Sequence, residues 1–356
     1  MKILLISRVP AYFQLKKHLT GPFPPFQLQS YWLKALKNLG HTTSVCITSR
    51  PLLVPVRWSA IASLTMEKFV PRLFGKYQLL KNRLFRLRMG NYFRTSKLIQ
   101  NIKVNSYDAI IITGGISELL PSAFRLAQSR GIKTYLLHGE DPLISATSFE
   151  KANLKHIDWV VVNDPTHATG WEKLGARHSL ALPYSGIDPE IYYDKKLPRN
   201  LDLVFVGTLL PDRQAVLKQL LEFSPVIYGY VPKTTRLDPE LKPYYHGEAW
   251  GTAMIDVYHH AKIALNFSPP HMPVGGNVRL FEIPACGAMQ ITNHCPPEWF
   301  VAGKEIVLFH GVRQLKKQIA YYLAHAQNRE NIAKSGHDRV HRQYTYTKRF
   351  KAILAL

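Results

Sequence analysis

The stretch N-V-R-L-F-E-I-P-A-C-G at residues 277–287, followed by A-M-Q-I-T at 288–292, decides how this chain is read. A carboxylate, Glu282, stands between the apolar Leu280-Phe281 step and the small-residue turn Ala285-Cys286-Gly287. Residues 288–292 then read as a short buried strand. The pattern is a short helix packed tightly on a sheet, with Glu282 near the helix start and close to the crevice at the strand ends. Helix N-termini offer unpaired amides and partial positive charge, which attract anions and hydroxyl-rich ligands. A glutamate held there accepts hydrogen bonds from the vicinal hydroxyls of a ribose. It is equally the acid that a helix dipole favours in any first turn. Spacing alone does not separate the two readings.

Strands alternate with helices on both sides of this stretch. Residues 2–7, 43–48, 108–113, 133–137 and 159–163 read as strands, with helices at 26–39 and 122–130 closed by Gly40 and Gly131. Residues 182–200, rich in Pro, Gly and Asp, form a linker. The pattern restarts with a strand at 201–206 running into Gly207-Thr208, a helix at 214–223, and strands at 226–228, 263–266, 290–292 and 305–309. Such alternation implies doubly wound parallel sheets. The expectation is two Rossmann-like α/β domains, residues 1–185 and 186–340, facing across a cleft. A final helix, beginning near residue 342, is expected to cross back to the first domain.

Composition narrows the function classes. A chain of 356 residues exceeds one ordinary core, and no segment is apolar and long enough to span a bilayer. Cys46, Cys286 and Cys295 show no paired spacing, which fits a reducing cytoplasm. Net charge is +22, and residues 1–107 hold 18 Lys or Arg against the single acid Glu67. A field of that sign attracts polyanions: anionic lipid, lipid-linked phosphates or nucleic acid. Within it, Leu73, Tyr77, Leu80, Leu84 and Leu87 form an apolar stripe among cations that include Arg83, Arg86 and Arg88. The stripe suits an interfacial helix on an anionic membrane, or a face packed on the domain core beneath solvated cations. The expected location is cytoplasmic, peripheral at the inner face of the membrane. His337 and His341 stand four apart with no third metal ligand, so no metal is expected. Neither a phosphate-binding P-loop nor G-x-G-x-x-G occurs.

From about Trp159 onward the chain resembles GT-B glycosyltransferases, specifically the CgeB-type (spore maturation protein-like) branch near the retaining family-4 enzymes. The matching motifs are L-P-Y-S-G-I-D-P-E at the linker, F-V-G-T at Phe205, A-K-I-A-L-N-F at Ala261 and N-V-R-L-F-E-I-P-A-C-G itself. They continue with G-K-E-I-V-L-F at Gly303, Y-Y-L-A-H-A-Q-N-R-E-N-I-A-K-S-G at Tyr321 and H-R-Q-Y-T-Y-T-K-R-F at His341. In the first 107 residues only the opening strand and L-x-x-L-x-x-x-G-H at Leu33 match.

The resemblance implies transfer of a sugar from a nucleoside-diphosphate-sugar donor, with no other cofactor. Glu282 matches the donor-ribose glutamate and Gly207 the glycine of the diphosphate loop. Arg213 and Arg279 are the candidate phosphate cations, and Asn277 belongs to the same Asn-x-Arg-x-x-Glu pattern. Gly275 and Gly276 are candidate amide donors, and Tyr245, His246 and Gly247 bracket the base. His138, with Asp141 in the same turn, is the candidate catalytic group facing the sugar. The plain alternatives are a helix cap for Arg213, a satisfied core histidine for His138 and a simple turn for the two glycines. Family-4 enzymes carry a second carboxylate eight residues before the ribose glutamate; here that position is Val274. The expected acceptor is a lipid-linked or membrane-surface glycan. The alternatives are a modified DNA base, or a non-catalytic binding protein on the same fold.

Overall fold

The computed structural model describes residues 1–7, 28–47, 91–92, 94–113, 116–268 and 272–356. The stripe at Leu73 to Leu87 and the cations Arg83, Arg86 and Arg88 lie outside the described residues.

Eleven described strands form two wholly parallel sheets. The first contains β1 (Lys2–Ser7), β2 (Thr42–Ile47), β3 (Ala109–Ile112), β4 (Lys133–His138), β5 (Trp159–Val162) and β6 (Ser179–Ala181), in the order β2-β1-β3-β4-β5-β6. The second contains β7 (Leu201–Val206), β8 (Val226–Tyr228), β9 (Ala261–Asn266), β10 (Met289–Thr292) and β11 (Val307–Leu308), in the order β11-β10-β9-β7-β8. Strands covered on both faces read as continuous apolar runs, and Ile3 to Ile6 and Ala109 to Ile112 are fully buried.

The helices are α1 (Leu28–Asn38), α2 (Pro121–Ser129), α3 (Pro142–Ser145), α4 (Ser148–Leu154) and α5 (Pro165–Lys173) in the first domain. The rest of the chain adds α6 (Pro211–Lys218), α7 (Thr252–His260), α8 (Arg279–Ala285), α9 (Val312–Ala324), α10 (Ala326–Gln343) and α11 (Tyr346–Ile353). In α1, Tyr31, Trp32, Ala35 and Leu36 make one buried face at helical spacing. Two Rossmann-like domains of the doubly wound α/β class are thus the fold.

Three boundaries differ from the sequence reading. The helix expected at 214–223 starts earlier, with Pro211 in its first turn, where a missing N–H costs nothing, and stops at Gln219. The strand expected at 305–309 shortens to β11, because Gly303 N–H bonds the carbonyl of Ile306 and the Glu305 carboxylate accepts from Val301 N–H, closing a turn. The last helix breaks at Tyr344. Thr345 bridges to Ile187 of the linker, and its hydroxyl caps the next turn by accepting from Lys348 N–H. β6 carried no recognised signal in S-L-A.

Helix α11 lies on α1 of the first domain. Tyr346 stacks on Tyr31 with ring centroids 5.6 Å apart, and Phe350 meets Trp32 edge-on at 5.9 Å. Lys34 of α1 reaches the linker acids Asp188 and Glu190 at 2.6 and 2.8 Å.

A second joint is polar. Asp164, fully buried at the start of α5, accepts from Thr166 through one oxygen and from the amides of Val274 (3.0 Å) and Gly275 (2.6 Å) through the other. Burial raises its pKa, but the bonds from the Thr166 hydroxyl and the three amides outweigh that and hold it below the usual range. A depressed carboxylate adds stability that is present above its unfolded pKa of about 4 and is lost as pH falls through the folded value. Asp164→Asn should therefore lower the unfolding free energy by about 1–3 kcal/mol at pH 7. Urea titrations at stepwise lower pH should show the gap to wild type closing; a gap that stays constant would mean the carboxylate charge is not what the two amides hold.

Candidate donor site

In the second sheet, β7 has its successor β8 on one side and β9 on the other, so the chain changes direction between β7 and β9. Ligands of open parallel sheets settle at the carboxyl ends of strands at such a switch point. A cavity of ≈ 190 Å³ sits there, lined by Phe205 to Thr208 from the end of β7, Asn266 and Phe267 from the end of β9, and Arg213, Asn277 and Arg279.

The loop after β7 is shaped by two glycines. The N–H of Gly207 continues the sheet by bonding the carbonyl of Tyr228, so its amide is already occupied. Gly229, at φ +152°, passes so close that a Cβ on it would lie 1.6 Å from the Gly207 carbonyl oxygen. Only glycine allows that approach. The sequence reading missed Gly229; its signal was a lone glycine straight after a short strand.

Two arginines meet at the cavity. Arg213 donates to the carbonyls of Thr208 (3.1 Å) and Phe267 (3.0 Å). Desolvation lowers its pKa, nearby Asp212 opposes this, and the like charge of Arg279 lowers it further. Burial also disfavours the charge of Arg279, but the Tyr258 phenol and the Glu282 carboxylate outweigh it and hold the guanidinium above its ordinary value. Its Nε is buried with no hydrogen-bond partner among the described residues. Two cations lining one cavity, one of them bonded only to carbonyls, form a site in which an added anion relieves repulsion.

Asn277 organises the entry to α8. Its Oδ1 accepts from Arg279 N–H and its Nδ2 donates to Asn266 Oδ1, each at 3.0 Å, tying the helix start to the end of β9. Asn266 was passed over in A-L-N-F, although a buried polar residue ending a strand signals such a role. One turn beyond Arg279, Glu282 is 7% exposed and accepts from the Tyr192 hydroxyl at 2.8 Å. Burial raises its pKa, against the opposing pull of Arg279 and the Tyr192 bond.

The remaining candidates lie elsewhere. Gly275 gives its amide to Asp164, and a Cβ there would stand 2.1 Å from the Asn163 carbonyl oxygen; close approach to the other domain explains this glycine better than amide donation to a ligand. Gly276 packs against Leu280 and Trp299. Tyr245, His246 and Gly247 run beside the end of β8: Tyr245 donates to the Gly229 carbonyl at 2.9 Å, His246 N–H bonds Ile227, Gly247 accepts from Gly229 N–H, and the Tyr228 and His246 rings are 5.5 Å apart.

His138 ends β4 of the first domain, edge-on to Trp171 at 4.9 Å and 3.8 Å from Glu150. Glu150 is a capping-box acid, closing α4 with Thr147. Burial raises its pKa, but the bonds from His138 and Thr147 win and lower it. Asp141 is the N-cap of α3, accepting from Leu143 N–H at 2.9 Å, which is a structural duty. Val274, where family-4 enzymes carry a carboxylate, instead gives its amide to the Asp164 carboxylate from the facing domain. Among the described residues no cluster of three or more metal-ligating groups occurs, and His337 and His341 lie ring to ring at 4.2 Å.

Two parallel-sheet domains, with a cationic cavity at the switch point of the second sheet, have the GT-B fold. Residues 213–355, the greater part of the second domain and the terminal helix, match a glycosyl transferase-like family. The chain is 22% identical over 252 residues to spore protein CgeB of Bacillus subtilis (strain 168), covering 64% of this chain and 76% of that protein. Among solved structures it resembles HepE of Anabaena in complex with UDP, at TM-score 0.61 and 12% identity over 100% of this chain and 99% of that one. HepE in complex with UDP-glucose gives 0.58 and 13%, over 100% of each chain. The N-terminal domain of trehalose-6-phosphate phosphatase from Candida albicans reaches 0.61 at 12% identity, over 99% of this chain and 96% of that one. Likeness at that level speaks for the fold, and chemistry has to come from the site.

Gly229→Ala tests the loop geometry. It should cost more than about 3 kcal/mol in urea unfolding, since both the φ and the contact with Gly207 must give. Gly247→Ala shares the positive φ but meets nothing within 4 Å and should cost less; equal losses would mean the Gly207 loop is not tightly held.

Proposed function

We propose that the protein transfers a sugar from a nucleoside-diphosphate sugar, bound at the β7–β9 switch point, to an acceptor held by the first domain. One observation carries the reading: the cavity at the strand ends presents Arg213 and Arg279 together beside the Gly207 loop. A diphosphate there gains charge-assisted hydrogen bonds from both guanidinium groups. The same groups stabilise negative charge on the departing nucleoside diphosphate, so a divalent metal is not required for that purpose. Glu282, one turn along α8, accepts from the ribose hydroxyls. His138, at the strand ends of the facing domain, stands over the sugar when the domains close and exclude water. The relation to family-4 enzymes supports retention of anomeric configuration, although Val274 removes one of their carboxylates. HepE, which has been crystallised with UDP and UDP-glucose, lends support to this class of donor.

A thermal-shift screen of nucleoside diphosphates and their sugars tests the donor site. Saturation at one hundred times the dissociation constant should add about 2.7 kcal/mol of stability. The shift should vanish in Glu282→Ala and shrink in Arg213→Ala, whose affinity should fall roughly ten- to hundredfold. A full shift retained in both variants would move the donor elsewhere.

For the acceptor, a lipid-linked or membrane-surface glycan is the reading that the charge of residues 1–107 favours, 18 Lys or Arg against one acid. Each basic residue near an anionic surface contributes about 1 kcal/mol. No helix among the described residues is long and apolar enough to cross a membrane. The protein should co-sediment with anionic vesicles, and the triple variant Arg83→Ala, Arg86→Ala, Arg88→Ala should not. Undiminished sedimentation of the triple variant would remove these cations from the account. Preferential binding to duplex DNA with a steep salt dependence would instead favour a nucleic-acid acceptor.

A further inference from the structure

We propose that Tyr192 of the linker is a positioning residue for Glu282, its hydroxyl bond at 2.8 Å fixing the carboxylate as the acceptor for the donor's ribose hydroxyls. The inference rests on the donor reading of Glu282 and adds a residue from outside the second sheet to that site.

Glu282 is nearly removed from water, and a carboxyl group in that state tends to take up a proton. Protonated, it would turn from a pure acceptor into a donor at one oxygen and would meet the ribose hydroxyls wrongly. Two groups oppose protonation: Arg279 on its own helix and Tyr192 on the linker. Arg279 also lines the cavity, so a bound diphosphate draws on the same charge. Tyr192 is a neutral donor whose hydroxyl bonds the carboxylate.

The hydroxyl is aimed by packing. The Tyr192 ring, 2% exposed, sits edge-on to Tyr31 of α1 at 6.0 Å, and Tyr31 stacks on Tyr346 of α11. Tyr192 N–H bonds the carbonyl of Asp188, whose carboxylate is held by Lys34. Ile187 exchanges backbone hydrogen bonds with Tyr344 and Tyr346. The aim of Tyr192 therefore depends on both domains and the terminal helix. Around Glu282 the titratable or charged neighbours are Arg279 on α8 and Cys286 at its C-cap, Tyr258 on α7, Tyr192 on the linker, Tyr346 on α11 and Tyr31 on α1. Burial raises the phenol pKa of Tyr192 above its ordinary value, with the Glu282 charge adding to it, so Tyr192 remains a donor across any working pH.

The test needs no knowledge of the donor. In full-length protein labelled with 13C at the glutamate carboxyl, the Glu282 resonance, assigned by its loss in Glu282→Gln, is titrated by NMR. Tyr192→Phe should raise its apparent pKa by about one pH unit, the scale of one charge-assisted hydrogen bond. Tyr31→Phe, which keeps the Tyr192–Glu282 bond but removes a phenol beside Tyr192, should move it less. An unmoved titration in a folded Tyr192→Phe overturns the proposal, as does an equal shift in Tyr31→Phe, which would mark a general packing effect. Should Tyr192→Phe fail to fold, 3-fluorotyrosine at position 192, a more acidic phenol in the same ring, should move the Glu282 pKa downward; no movement overturns the proposal. The second arm uses the nucleoside diphosphate that binds best among ADP, GDP, UDP, CDP and dTDP, with its 2′,3′-dideoxy counterpart. Wild type should prefer the ribose form, and Tyr192→Phe should lose roughly tenfold of that preference near pH 7 while binding the dideoxy form unchanged. Absence of any ribose preference in wild type sinks the donor reading of Glu282, whatever the titration shows. A preference left intact in Tyr192→Phe sinks only the role of Tyr192.

Discussion

The burial of a carboxylate and a guanidinium one helical turn apart, Glu282 and Arg279 on α8, is the constraint around which the second domain is arranged. Removing two charges from water costs several kcal/mol each unless neighbouring groups answer them. The surroundings do so piece by piece: Tyr192 donates to Glu282, Tyr258 lies beside Arg279, and Asn277 ties the Arg279 amide to the end of β9. Such a helix cannot drift without exposing an unanswered charge, which fixes the distance between the strand ends and the cavity they frame. Arg213, wired to two carbonyls, supplies a second positive charge that the site does not neutralise from within.

The two sheets are joined by unlike contacts. On one side, aromatic rings of α1, the linker and α11 pack into a shared core, where Tyr31 stacks on Tyr346 and Trp32 meets Phe350. On the other, one carboxylate spans the domains, with Asp164 holding the amides of Val274 and Gly275. Non-directional burial tolerates small rotations, whereas two short hydrogen bonds to a single oxygen do not.

Much of the fold was legible in advance, for identifiable reasons. Buried parallel strands need uninterrupted apolar runs, so I-L-L-I and A-I-I-I are unmistakable, and glycines such as Gly40 and Gly131 stop helices because they alone take positive φ cheaply. The short edge strand β6, three residues in S-L-A, escaped, and β11 was read over 305–309 where only two residues pair. At the site, Gly207, Arg213, Asn277 and Arg279 were named from motif and do line one cavity. Gly275 was named from the same stretch and belongs to the domain clasp instead, because a glycine needed for close approach looks the same whichever surface approaches it. Asp141 likewise serves as a helix cap.

The chain's own order of residues determined the two α/β units, the linker between them, the cationic character of the site and the position of Glu282 one turn from Arg279. These are local matters, set by periodicity, turn residues and i, i+3 spacing on a helix. Tertiary structure alone decided that Tyr192, ninety residues before Glu282, donates to it, that Asp164 holds Val274 and Gly275 across 110 and 111 residues, and that Gly229 yields to the Gly207 carbonyl. Partners so distant carry no local pattern, since what unites them is the three-dimensional requirement that every buried charge and amide find a complement.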